Sequence, residues 1–169
     1  SDRDLVRIVT IHKSKGLEYP LVFLPFAWDA HSGGRADGKT FEYHDDDGQP
    51  VVDYRALAGP LEDADDIRRR VAHERAAEDL RLLDVALTRA VHRCTVVIGS
   101  YAIGKSTKES RAALPHWLVD DRGVDPSTWL QSPPEITDTM ARWHALADAH
   151  PDLIAVSALP DEAPRPLPP

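Results

Sequence analysis

Cysteine, methionine and aromatic side chains are scarce in this chain, and positive charge is outnumbered. A single cysteine, Cys94, among 169 residues rules out an internal disulfide and a disulfide-stapled scaffold. That usage suits a reducing, cytoplasmic setting. The only methionine is Met140, and the chain opens Ser1-Asp2-Arg3-Asp4, from which we expect a piece excised from a longer polypeptide. No apolar run approaches the ~20 residues of a membrane span, and the first residues lack a secretion-signal pattern, so no membrane partner is expected. Lys and Arg number 20 against 28 Asp and Glu, a net charge of −8. That balance excludes a protein that coats nucleic acid by bulk electrostatics; any DNA contact must be local. The acids gather in Asp45-Asp46-Asp47 and in Glu62-Asp63-Ala64-Asp65-Asp66, stretches that read as solvated faces. The opening loop and the segment 68–93 are richer in Arg, Lys and His.

What is present is an ordinary globular composition, 42% apolar and 28% charged, with the length of one domain. Its organising stretch is Arg7 to Leu24. Ile8, Val9 and Ile11 lead in, Leu21 to Leu24 lead out, and both short apolar runs read as buried strands. Between them lie Thr10, His12, Lys13, Ser14, Lys15, Gly16 and Glu18. A polar loop at a strand end is where an open α/β sheet takes ligands; the plain alternative is a wet surface turn.

Thr10 to Tyr19 resembles motif V of the UvrD-like superfamily 1 DNA helicases, and the continuation Pro20 to Phe26 is similar to the RecB-type branch of that family. A second block, Glu78 to Ala90, resembles motif VI. Two blocks in the expected order are a far more specific signal than either alone. The resemblance implies the C-terminal part of an α/β, RecA-like second motor domain: a parallel sheet flanked by helices, over residues 1–156. It also implies ATP in a cleft shared with the first RecA-like domain of the same chain, with Mg2+ held outside this chain. The implied catalytic residue is Arg89, the motif VI arginine reaching the γ-phosphate. Gly16 and Glu18 would face the nucleotide. Thr10, His12, Lys13 and Lys15 would face the phosphates of DNA, single- or double-stranded. RecC- and RecD-like subunits are the implied partners, and double-strand-break repair and recombination the setting, through helicase and exonuclease activity that this chain does not carry alone. Without the resemblance, Arg89 reads as a helix-end cation. Asp84 departs from the family, which commonly has Tyr there; its carboxylate is expected to pair with Arg81 or Thr88.

Elsewhere, 27–39 reads as loop. Phe41-Glu42-Tyr43 and Val51-Val52-Asp53 flank Asp47-Gly48 as an inserted hairpin; the acid spacing does not suit a calcium loop. From Asp63 to His92 a helical stripe runs through Ala76, Leu80, Leu83, Leu87 and Ala90, and Cys94 to Ile98 reads as the next strand. Gly99 to Ser106 satisfies the phosphate-loop pattern, but Tyr101 and Ile103 are bulky where amides must close on phosphate, and too little chain follows for a nucleotide-binding sheet. A short helix is expected over Ser110–Val119, limited by Pro115, another over Ile136–Ala149, and a last strand at Ile154–Val156. Trp117, Trp129 and Trp143 are expected in the core rather than stacked on bases. Residues 157–169 are Pro-rich and read as an extended linker. Three alternatives stay open: another UvrD-like or AddA-type helicase, a small phosphate-loop NTPase built on Lys105, and a docking domain without a motor role.

Overall fold

A computed structural model of the protein describes residues 5–27, 40–55, 59, 62–102 and 106–159. The elements run α1 (Ile11–Ser14), β1 (Tyr19–Leu24), β2 (Phe41–His44), β3 (Pro50–Asp53), α2 (Ala64–Leu87), β4 (Ala90–Val96), α3 (Lys108–Arg111), α4 (Leu114–Trp117), α5 (Pro126–Gln131) and α6 (Ile136–Ala149). The architecture is α/β, a parallel sheet with flanking helices.

Strands β1 and β4 pair in parallel, Val22 beside Cys94 and Leu24 beside Val96. The register slips between Tyr19 and Leu21, at Pro20, which has no N–H to give the ladder. Parallel strands need a long crossover, and here it carries both the β2–β3 hairpin and α2. The hairpin forms where expected, Phe41 opposite Asp53. Its tip is closed by the Asp45 carboxylate, which accepts from Asp47 N and Gln49 N at 3.0 and 2.8 Å, with Gly48 at φ +74°. Phe41 buries against Ile67 and Val71 on the N-terminal half of α2, with Tyr43 packed beside them. Glu74 bonds both the amide and the Nδ1 of His44, and Arg70 reaches Asp46 at 2.8 Å. The hairpin is thus bolted to the helix by one apolar cluster and two polar contacts.

Five expectations change. The run Leu21–Leu24 does form strand β1 but is not buried, Leu21 and Phe23 being 57% and 68% exposed. The apolar lead-in at Ile8–Ile11 is not a strand: residues 5–10 carry no regular structure and Ile11 opens α1. A strand exists only with a partner ladder, and no described residue pairs with this stretch; Val6 and Ile8 are 93% and 97% exposed. The polar loop therefore precedes the N-terminal end of β1 rather than following a strand. The next strand starts at Ala90, not Cys94, because Arg89 O already accepts from Tyr19 N at 2.9 Å; the polar residues His92 and Arg93 disguise it. The 110–119 helix is two short helices, with Pro115 in the first turn of the second, where its missing N–H costs nothing. Ile154–Val156 forms no strand.

Helix α6 occupies the expected residues, Ile136–Ala149. The three described tryptophans are structural: Trp129 is fully buried, Trp117 Nε1 donates to Val124 O at 2.8 Å, and Trp143 Nε1 donates to His116 Nδ1 at 3.3 Å. Helix α5 goes beyond the sequence reading, although Asp125-Pro126 is a legible start signal: the Asp125 carboxylate accepts from Thr128 N at 3.0 Å, and Pro fills the first turn. The 28–39 part of the expected loop, Lys105, and the 160–169 part of the expected linker lie outside the described residues.

Candidate functional site

The loop before β1 is built by capping. Thr10 is extended and its Oγ1 accepts from Lys13 N at 3.4 Å, starting the single turn of α1. Ser14 is buried, its hydroxyl donating to Ile11 O at 2.7 Å. Lys15 N returns to His12 O at 3.4 Å and Leu17 N to Ser14 O at 3.0 Å. Gly16 between them sits at φ +81°, a left-handed conformation that a side chain opposes. Thr10, His12, Lys13, Lys15, Gly16 and Glu18 are all exposed. None of these ionisable groups is in an ion pair with a described residue. Thr10 thus has a structural duty, but its O–H remains able to donate.

Arg89 comes to this loop from the far end of the crossover. Helix α2 stops at Leu87, Thr88 caps it, and Arg89 follows directly before β4. Its guanidinium folds back over the last turn of the helix: Nε donates to Val85 O at 2.9 Å and Nη2 to Thr88 Oγ1 at 3.0 Å. Nη1 donates to Leu17 O at 3.2 Å, the carbonyl between Gly16 and Glu18. The residue is half-buried, and no described carboxylate stands within ion-pair distance of it. Three of its five N–H groups are used by described residues, and one on each terminal nitrogen makes no bond to a described residue. A half-buried guanidinium with no described carboxylate in reach has the chemistry to accept an anion.

Two features of this junction escape sequence reading. Leu17 enters through its carbonyl, which leaves no trace in residue identity. Thr88 enters through its hydroxyl, which donates to the Asp84 carbonyl at 2.7 Å. The expected side-chain pairing of Asp84 is absent: Arg81 turns to Glu78 at 3.2 Å, the acid N-terminal to it, which is the favoured order on a helix. The phosphate-loop-like stretch is also otherwise engaged. Tyr101 N donates to Ser110 Oγ at 3.0 Å, so that amide is not turned toward a ligand, and the helix after it, α3, begins only at Lys108.

A family model described as the UvrD-like helicase C-terminal domain matches residues 1–100, which contain the loop, the hairpin, α2 and the Arg89 junction. This chain belongs to the UvrD-like helicase C-terminal family. It is 48% identical over 97 residues to the RecBCD enzyme subunit RecB of Escherichia coli (strain K12), covering 57% of this chain and 7% of that protein. It is 37% identical over 114 residues to the RecB subunit of Buchnera aphidicola subsp. Schizaphis graminum (strain Sg), covering 67% and 9%. To the AddA-type ATP-dependent helicase/nuclease subunit of Bacillus cereus (strain AH820) it is 36% identical over 135 residues, covering 70% and 10%. The chain therefore spans a tenth or less of the length of these relatives.

The perturbed ionisable groups lie outside the loop, several of them beyond the residues 1–100 that match the family model. The Arg122 fork on Asp120 holds that carboxyl down at about 2 against the cost of burial, and Arg142 joins it at 3.1 Å. Burial pushes His116 below its ordinary value; Trp143 donates to its Nδ1, so Nε2 carries the hydrogen toward Gly99 O at 3.4 Å. Burial pulls Glu74 upward, but the amide and ring of His44 outweigh it and hold the carboxyl low. No described group of acids, histidines and cysteine has the arrangement to hold a metal ion. No described helix is long and apolar enough to cross a membrane.

Proposed function

We propose that this chain is part of the second motor domain of a RecB-type, ATP-dependent DNA helicase–nuclease that works in double-strand-break repair and recombination. The observation that carries the reading is the Arg89 Nη1 bond to Leu17 O at 3.2 Å. It joins the motif VI arginine to the motif V loop across 72 residues of sequence, leaving beside that loop a cation with no ion pair to any described carboxylate. In this reading Arg89 reaches the γ-phosphate of ATP held in a cleft with the first RecA-like domain, neutralising charge that develops as the phosphoryl group departs. Glu18 accepts from the nucleotide sugar, and Gly16 lets the backbone approach. Thr10 and His12 donate to phosphate oxygens of DNA, with Lys13 and Lys15 adding charge. Mg2+ accompanies ATP and is held by acids of the first domain, so this chain alone does not turn over ATP.

Because Arg89 and the loop share one carbonyl contact, movement of the cleft also moves the DNA grip, which would convert hydrolysis into translocation. The RecB relatives carry the name of a RecBCD enzyme, and RecC- and RecD-like subunits are accordingly the partners proposed. A second reading, an AddA-type helicase–nuclease, is favoured by the likeness to the Bacillus cereus protein and uses the same residues in the same roles. The test is Arg89→Ala in the full-length protein. DNA-stimulated ATP turnover should fall by ~10³-fold or more with folding intact; unaltered turnover would leave only a docking role for this domain.

A further inference from the structure

We propose that Thr88 is a positioning residue that fixes the plane of the Arg89 guanidinium. This rests on the reading of Arg89 as the γ-phosphate-binding arginine. A threonine hydroxyl has one hydrogen to give. Thr88 Oγ1 lies 2.7 Å from Asp84 O, far nearer than the 3.4 Å to Val85 O, so its hydrogen is committed to Asp84. Its lone pairs then face outward, and Arg89 Nη2 donates to them at 3.0 Å. Arg89 is thereby held at each of its three nitrogens: Nε by Val85 O, Nη2 by Thr88, Nη1 by Leu17 O. Two of these anchors belong to backbone that folding supplies regardless of side chain. The Thr88 hydroxyl is the side-chain anchor, and without it the guanidinium is free to rotate about a hinge between Val85 and Leu17.

The same geometry explains why Asp84 is tolerated where the family commonly has Tyr. The acceptor for Thr88 is the Asp84 carbonyl, not its side chain, so the sequence departure leaves the relay from Asp84 through Thr88 to Arg89 intact. Thr88 is itself exposed, which means its loss opens no cavity and its effect should run through Arg89 rather than through the core.

The experiment uses the full-length helicase chain with its partner subunits, saturating single-stranded DNA and ATP as substrate. Thr88→Val keeps the branched shape and removes the hydroxyl. We expect kcat for ATP hydrolysis to fall about 10- to 100-fold, the weight of one hydrogen bond to a charged group, with KM for ATP little changed. Thr88→Ser, which keeps the hydroxyl, should recover most of that loss. In an Arg89→Ala background, Thr88→Val should add no further loss, since there is nothing left to position. Thr88→Val within twofold of the unmodified enzyme, beside a ~10³-fold loss in Arg89→Ala, would overturn the positioning role and leave the arginine reading standing. An equal Thr88→Val penalty with and without Arg89 would overturn it too, as an effect on the fold. Arg89→Ala without effect would remove both.

Discussion

Structural and proposed functional roles at the loop fall on different residues, Thr10 capping α1 and His12 making no side-chain bond to a described residue, and measurement can separate them. Gly16 at φ +81° has nothing within 4 Å of where a Cβ would stand. Gly16→Ala should therefore cost only backbone strain, about 1 kcal/mol, read as a shift in urea midpoint, and Gly16→Asn should cost less because Asn tolerates that region. A loss several times larger would mean the loop is packed in a way this geometry does not contain. The His12 side chain is exposed and unpaired among described residues, so the role proposed for it can be read only with DNA present. In the full-length enzyme, His12→Ala should weaken single-stranded DNA binding about 10-fold or more, the weight of one hydrogen bond to a charged phosphate, and blunt DNA stimulation of ATP turnover. An undiminished stimulation would remove His12 from the DNA contact.

Helix α2 is the element that ties the site to the rest of the fold. Its N-terminal half holds the hairpin and its C-terminal end presents Arg89; at 24 residues it spans ~36 Å. Two kinds of contact hold the hairpin, and their weights differ. Ile67 is 2% exposed in the cluster with Phe41 and Val71, so Ile67→Ala should cost about 2–5 kcal/mol. The Glu74–His44 pair is partly wet, with the His44 side chain 57% exposed, and Glu74→Gln should cost about 1 kcal/mol or less. Chemical denaturation of both variants checks the order; a larger loss from Glu74→Gln would mean the polar clamp, not the apolar cluster, docks the hairpin. Helix α2 is legible in the sequence because its apolar residues recur at helical steps. Its true end at Leu87 is not, because the Arg89 carbonyl is recruited by Tyr19, and such a pairing has no local signature.

Among the described residues the parallel sheet has two strands, with helices packed beside it. Parallel sheets are ordinarily covered on both faces, and two strands alone are marginal. Here β1 and β4 leave Phe23 68% exposed, and Phe26 just beyond is 73% exposed. Both line an apolar groove of about 790 Å³ that runs past Leu83 and Leu114. The helical flank, by contrast, closes around fully buried Trp129 and His116. Burial of His116 predicts that this flank is acid-sensitive. Its folded pKa lies below the unfolded value of ~6.5, so below pH ~6.5 the unfolded chain binds the proton more readily and stability falls as pH falls. Melting temperature should drop between about pH 7.5 and 5.5, and the drop should shrink in His116→Gln. An equal drop in that variant would assign the acid sensitivity to other groups.

The residues alone determined the hairpin, α6 and the α/β class, because each rests on local chemistry: a turn sequence, a helical period, a loop composition; the two helicase blocks were recognised by resemblance. They also named Arg89 and the loop residues, through resemblance. Tertiary structure decided what no local pattern encodes. The apolar stretch at Ile8–Ile11 does not become a strand, since a strand needs a neighbour. Arg89 meets the Gly16–Glu18 turn through the carbonyl of Leu17, since backbone oxygens are common to every residue and only folding selects which one a guanidinium finds.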